Sequence, residues 1–259
     1  MGKVITINVH KGGVGKTTTT HELASNLKAK GYKVLAIDMD HQCNLSKCTG
    51  APLQGYFTVH DILTGKGEWI DAIHKMKNYD IVTAHPVLEN AGKEFNDWTD
   101  VYKLTDAVSK IKAYYDYIVI DTPPGGGILP DMALTAADYV ILPIEASAFG
   151  IQGLGQSYAS LERITDTKRG PNKELKVAGL LLTMYSDRTK IEKSIKTQLE
   201  TFAVKNNTKI FKTTIHKSVA VKDAQALNES LLEYSPQSKP CIDYTNFTNE
   251  LLKEIENNG

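Results

Sequence analysis

Residues 3–20 read KVITINVHKGGVGKTTTT, and the change of character near residue 10 decides the fold. Residues 3–9 are rich in β-branched side chains and read as a buried strand. Glycines at 12, 13 and 15 follow, then Lys16 and Thr17, and a helix is predicted over 16–30 with Leu23, Ala24 and Leu27 on one face and Gly31 as its stop. A strand that turns through glycines into a helix gathers backbone N–H groups at one point, where side chains would block close approach. The helix N-terminus adds partial positive charge at the same place. That combination takes phosphate. Lys16 is expected to reach the β- and γ-phosphates of a nucleotide, and the Thr17 hydroxyl to ligate Mg²⁺. The candidate nucleotide contacts are Gly12, Gly13, Val14, Gly15, Lys16, Thr17 and Thr18.

Outward from this segment the pattern repeats. Short apolar runs at 33–37, 79–83, 117–120, 139–144, 177–183 and 209–215 alternate with helical stretches. Alternation of this kind predicts a doubly wound α/β fold, a mostly parallel sheet with helices on both faces, spanning residues 1–259 as one domain. Ligands in such folds sit at the carboxyl ends of the strands. The 259 residues carry 30 basic and 30 acidic side chains, with 41% hydrophobic and 23% charged residues. Those proportions exclude a disordered, collagen-like or disulfide-stapled chain. Cys43, Cys48 and Cys241 form no CxxC spacing, which fits a reducing cytoplasm, and His41 with Cys43 and Cys48 is too sparse a set to hold a metal. No apolar run approaches the roughly 18 residues of a membrane span.

Three carboxylates stand at predicted strand ends. Asp121 follows the run at 117–120 and precedes Thr122-Pro123-Pro124, where it is placed to hold Mg²⁺ directly or through water. Asp38 and Asp40 end the run at 33–37; one is expected to bind water on the metal and the other to orient an attacking water. The balanced net charge also hides an asymmetry. Residues 186–222 hold nine basic and three acidic side chains, whereas residues 223–259 hold two basic and seven acidic. On a helix predicted over 188–203, Ile191, Ile195, Leu199 and Phe202 share one face, with Lys190, Lys193 and Lys196 opposite.

Lys11 ahead of the glycines is the extra lysine of a deviant Walker A motif, and with it the chain resembles the ParA/MinD family of ATPases. The similarity is greatest to ParA partition proteins, through residues 38–44 (DMDHQCN), 121–124 (DTPP), 133–143 (ALTAADYVILP) and 181–185 (LLTMY). This resemblance implies an ATP-dependent homodimer in which Lys11 crosses to the partner's ATP. It further implies that Asp40 positions the hydrolytic water, Asp38 supports the Mg²⁺ shell, Asp121 is the Walker B acid and Thr18 adds a phosphate contact. Lys11, Lys16 and Asp40 are thus the expected catalytic residues. Two departures stand out: His41 where the family usually has Pro, and Gly125-Gly126-Gly127 after the Walker B acid, which predicts a more mobile switch loop.

The resemblance also implies nonspecific double-stranded DNA as a partner, with Lys190, Lys193, Lys196, Lys217 and Lys222 as candidate contacts, and a ParB-type protein that stimulates slow hydrolysis. Nucleoid association within the cytoplasm follows from the same reasoning. The first strand starts at residue 3, so the N-terminal helix-turn-helix domain of longer ParA proteins is not expected. A MinD-like membrane role is not expected either, because Phe247, Leu251, Leu252 and Ile255 are interleaved with Glu250, Glu254 and Glu256. The tail reads instead as a helix packing its apolar stripe on the core. An iron-protein reductase would need cysteines between 121 and 137, and there are none. An ATPase that positions a protein cargo, or a metabolic ligase of the same superfamily, are the alternatives.

Overall fold

Seven strands form one sheet: β1 (Lys3–Ile7), β2 (Val34–Asp38), β3 (Ile73–Lys75), β4 (Asp80–Val82), β5 (Tyr117–Asp121), β6 (Tyr139–Glu145) and β7 (Lys176–Thr183). The order across the sheet is β3-β4-β2-β5-β1-β6-β7, parallel throughout except for the antiparallel β3 at one edge. This is the architecture of a P-loop NTPase. The arrangement comes from a computed structural model, which describes residues 2–186 and 190–258, with side chains other than those of 148, 149, 151, 152, 190–194 and 258.

Both faces of the central strands are buried, because the pleat sends alternate residues into two separate cores. Val4, Leu35, Ile37, Ile118, Ile120 and Leu142 pack on one side with Met132 of α3 (Ile128–Ala136) and with Leu154 and Leu161 of α4 (Ala148–Thr165). Ile5, Ile7, Ala36, Val119 and Ile141 pack on the other with Leu23 and Leu27 of α1 (Lys16–Ala29). The same core takes in Tyr244, Phe247, Leu251 and Ile255 of a last helix (Lys239–Asn258). The tail therefore packs its apolar stripe on the core, as expected from its sequence.

The strand expected over 209–215 did not form. Only isolated bridges, Leu180 to Ile210 and Tyr185 to His216, link this segment to the β7 side. The physical reason is competition for donors. The backbone N–H groups of Lys212 and Thr213 donate to the Glu250 carboxylate at 2.7 and 3.0 Å, so they are lost to a continuous ladder. The edge strand β3, three residues long with no alternating pattern, was not anticipated.

The register sets up the site. Ile7 and Asp38 both pair with Asp121, so the carboxyl ends of β1, β2 and β5 lie side by side. From β1 the chain turns through residues 8–15 into α1 and returns as β2 on the far side of β5, which opens a crevice at those ends.

Candidate nucleotide site

The loop after β1 is shaped by glycine where only glycine fits comfortably. Gly13 has φ of 73° and Gly15 a φ of 88°, both in the left-handed region that side chains with a Cβ avoid. Gly15 caps α1 with no side-chain hydrogen bond, which leaves the first N–H groups of that helix facing the crevice. Lys16 is 7% exposed and bends back over its own loop, with Nζ donating to the carbonyls of Val9 and Lys11 at 3.3 and 3.2 Å. Burial lowers its pKa, opposed by the nearby Asp121 and Asp40 carboxylates. A buried cation held only by neutral carbonyls is ready for an anion.

The Thr17 hydroxyl donates to Asp121 Oδ2 at 2.7 Å, and Thr20 donates to Asp121 Oδ1 at 3.3 Å. Asp121 is fully buried; that burial and the carboxylate of Asp38 push its pKa up. Asp38, also fully buried, accepts from the Ser46 N–H and hydroxyl at 2.9 and 2.7 Å and from the Asp40 N–H at 3.0 Å, and burial raises its pKa as well. Asp38 thus braces the turn that presents Asp40. Asp40 lines the crevice, its Oδ1 accepting from the Gln42 N–H at 2.9 Å.

The crevice has a volume of about 480 Å³ and brings together Gly12, Gly13, Gly15, Lys16, Thr17, Thr18 and Asp40. Val14 is buried behind the loop, and Lys11, Asp38 and Asp121 stand outside the lining. Lys11 is held within its own chain, where Nζ donates to Glu145 Oε2 at 2.8 Å and to Ser147 Oγ at 3.0 Å. Ser147 also caps α4 by accepting from the Gly150 N–H. His41 lies with Nδ1 3.6 Å from Asp40 Oδ1.

Sequence reasoning missed the far wall. Gln42, Asn44, Lys47 and Cys48 line the crevice from the turn after β2 and from α2 (Asn44–Cys48). Met184, Gln225 and Asn228 close it from beyond β7. Met184 and Asn228 adopt φ of 52° and 58°, strain of a kind that collects at ligand sites. Gln225 donates to Thr18 Oγ1 at 3.0 Å, which brings α6 (Ala220–Ala226) across the mouth. Met184 lies inside the LLTMY run already singled out; no local signal marks Gln225.

The oxygens of Thr17 and Asp121 are the hard donors that Mg²⁺ prefers, and the glycine turn with Lys16 matches a chain of phosphates, so the residues present fit a magnesium nucleotide. The family profile described as an AAA domain matches residues 2–177. The chain belongs to the ParA/MinD family of ATPases. It is 32% identical to the sporulation initiation inhibitor protein Soj of Bacillus subtilis over the whole of both chains. It is 31% identical to the chromosome partitioning protein ParA of Myxococcus xanthus over 98% of this chain and 89% of that one. Among solved structures it is similar to cobyrinic acid a,c-diamide synthase from Mycobacterium smegmatis with bound ADP and magnesium. There the TM-score is 0.86 and the identity 26%, over all of this chain and 97% of the other.

The second predicted site is more dispersed. The side chains of Lys190 and Lys193 lie outside the described residues, as does Arg188. Lys196, on α5 (Lys190–Lys205), is half-buried, while Lys217 and Lys222 are exposed. Ile195, Leu199 and Ala203 turn the apolar face of α5 inward. The carboxylates of the last helix lie against the basic stretch: Lys209 pairs with Glu254, and His216 Nδ1 lies 2.8 Å from Asp243 Oδ2. The positive and negative halves seen in the sequence therefore partly neutralise one another. No helix of the described residues is long and apolar enough to cross a membrane.

Proposed function

We propose that this chain is a ParA-type partition ATPase, a Mg·ATP-dependent dimer that binds DNA without sequence preference and hydrolyses ATP slowly until a ParB-type partner stimulates it. The observation that carries the reading is the crevice itself, where a left-handed glycine turn, a buried Lys16 and Thr17 converge at the end of β1, with Asp121 at the end of β5 bonded to Thr17 from behind the lining. In this reading the N–H groups of residues 12–18 and Lys16 bind the phosphates. Thr17 and Asp121 would hold Mg²⁺, with Asp38 supporting its shell, and the ion would neutralise phosphate charge; Asp38 also keeps Asp40 in place to orient water. Slow turnover fits the position of Lys11: it must leave Glu145 and Ser147 before it can serve a neighbouring active site. Lys196, Lys217, Lys222 and the helix-borne Lys190 and Lys193 would contact DNA phosphates, an additive electrostatic grip that doubles on dimerisation.

The test is a binding series on random duplex DNA with ATP, with ADP and without nucleotide, at two salt concentrations. Binding that needs ATP and falls with salt supports the reading; binding indifferent to nucleotide overturns it. The likeness to an amide-forming synthase favours one second reading, a ligase that phosphorylates a carboxylic acid. A ligase would turn over ATP only with its acid present, whereas a partition ATPase hydrolyses ATP with water alone.

A further inference from the structure

His10 precedes the phosphate loop and has no part in the scheme above, yet three elements meet on it. Its backbone N–H donates to Ser157 Oγ at 3.0 Å, and its imidazole Nε2 lies 3.0 Å from Ser160 Oγ, both serines belonging to α4. Its carbonyl accepts from the Gly125 N–H at 2.8 Å, in the loop that follows Asp121. The imidazole also packs on that loop: a Cβ at Gly126 would stand 3.1 Å from His10 Cε1, closer than a comfortable contact. The three glycines after the Walker B acid thus acquire a local reason, since position 126 leaves room for the ring and Gly125 and Gly127 have φ of 86° and 124°. On the same helix, Gly153 lets α4 approach Lys11, for a Cβ there would meet Lys11 Cβ at 3.0 Å. Ser147 at the start of α4 holds the Lys11 amine.

We propose that His10 is a positioning residue, a joint that fixes the phosphate loop and the 125–127 loop to α4 so that Lys11 and the Walker B end move together. The proposal rests on the ATPase reading for its consequence, but the joint can be tested without nucleotide. The joint works with a neutral ring. Burial holds the His10 pKa below 6.5, opposed by Asp131 of α3 and reinforced by Arg163 of α4 and by Lys16. Asp131 is engaged by Arg163 through two hydrogen bonds of 2.8 Å, so a proton gained by His10 meets a carboxylate already paired. Acid should therefore loosen the joint.

Amide hydrogen exchange of the full chain, read at 125–127 and 157–160 at pH 5 and pH 7.5, tests this in wild type, His10→Gln and Ser160→Ala. Glutamine keeps hydrogen-bonding groups but cannot titrate. The expected result is extra loss of protection in wild type at pH 5, relative to His10→Gln at the same pH, of about fivefold, the equivalent of one neutral hydrogen bond. Ser160→Ala should lower protection at 125–127 at pH 7.5 and reduce kcat by about fivefold while moving KM by less than about twofold. Identical pH responses in wild type and His10→Gln, or a Ser160→Ala protein unchanged in protection and kcat, would overturn the joint. A wild type that hydrolyses no ATP yet shows the histidine-dependent exchange would instead sink the ATPase reading and leave the joint standing.

Discussion

Lysine does opposite things in two regions of this molecule. In the loop at residues 10–17, Lys16 is buried against two carbonyls and Lys11 is locked on Glu145 and Ser147, each in a position that its neighbours dictate. Along residues 196–222, Lys205, Lys212, Lys217 and Lys222 are exposed, and Lys209 is drawn back by Glu254. A buried cation is worth much because its solvation has been stripped away, so its partners and its geometry matter. An exposed one is screened and interchangeable, and only the number of them counts. One region should therefore fail abruptly under single substitutions, and the other should weaken in steps.

The sharpest break is Lys16→Ala. Removing a desolvated, charge-assisted donor to phosphate should lower Mg·ATP affinity by about a hundredfold or more, read by isothermal titration. Asp40→Ala comes next: it should leave nucleotide affinity within about twofold but cut hydrolysis by about a hundredfold, because the water loses its orienting carboxylate. If Asp40→Ala turned over ATP at the wild-type rate, the water-positioning role would belong elsewhere. Together the two variants separate holding the nucleotide from using it, a split that exposed lysines cannot show.

How much of this was readable beforehand follows the same division. The turn from β1 to α1 was legible because its residue types are dictated by main-chain geometry: glycines at positive φ, a lysine and a threonine at a helix start. The strand cores at 117–121 and 139–145 were legible because both faces are apolar. Three things were not. The segment at 209–215 has a strand-like composition, but the Glu250 carboxylate, about 40 residues away, takes its donors. The grip of Glu145 on Lys11 spans 134 residues and leaves no mark in either local sequence. Gln225 reaches Thr18 only because α6 folds back over the crevice. What is fixed by neighbours in the chain shows in the sequence; what is fixed by a distant carboxylate does not.

Glu22 sharpens the comparison from a third position, buried but with no charged partner among the described residues. It sits on α1, its two oxygens accepting from the Leu231 N–H at 3.1 and 3.2 Å, and burial pushes its pKa from 4.5 up to about 8. Between pH 4.5 and 8 the unfolded chain has released this proton while the folded chain retains it, so stability falls as pH rises through that window. Glu22→Gln keeps an acceptor for Leu231 and removes the titration. Its Tm should exceed that of wild type at pH 8 by on the order of 5 °C and match it near the lower end of the window. Thermal unfolding at several pH values reads this directly, and parallel curves for the two proteins would show that Glu22 is solvated after all.

The smallest effect belongs to the exposed lysines, and its size is the point. If Lys217 and Lys222 of each subunit each neutralise one DNA phosphate, replacing either by Ala removes two contacts from the dimer and should lower the slope of log affinity against log salt by about 1.8, and replacing both by about 3.6. Neither change should alter nucleotide affinity or the ATPase rate without DNA, since both side chains stand outside the crevice lining. Additivity decides the matter. Two equal steps would confirm a surface that works by counting charges, in contrast to the loop, where a single substitution at Lys16 is expected to remove most of the affinity. A full loss of DNA binding from Lys217→Ala alone would instead reveal a built contact at that position, desolvated on binding. The contrast between the two kinds of lysine would then hold only in the free protein.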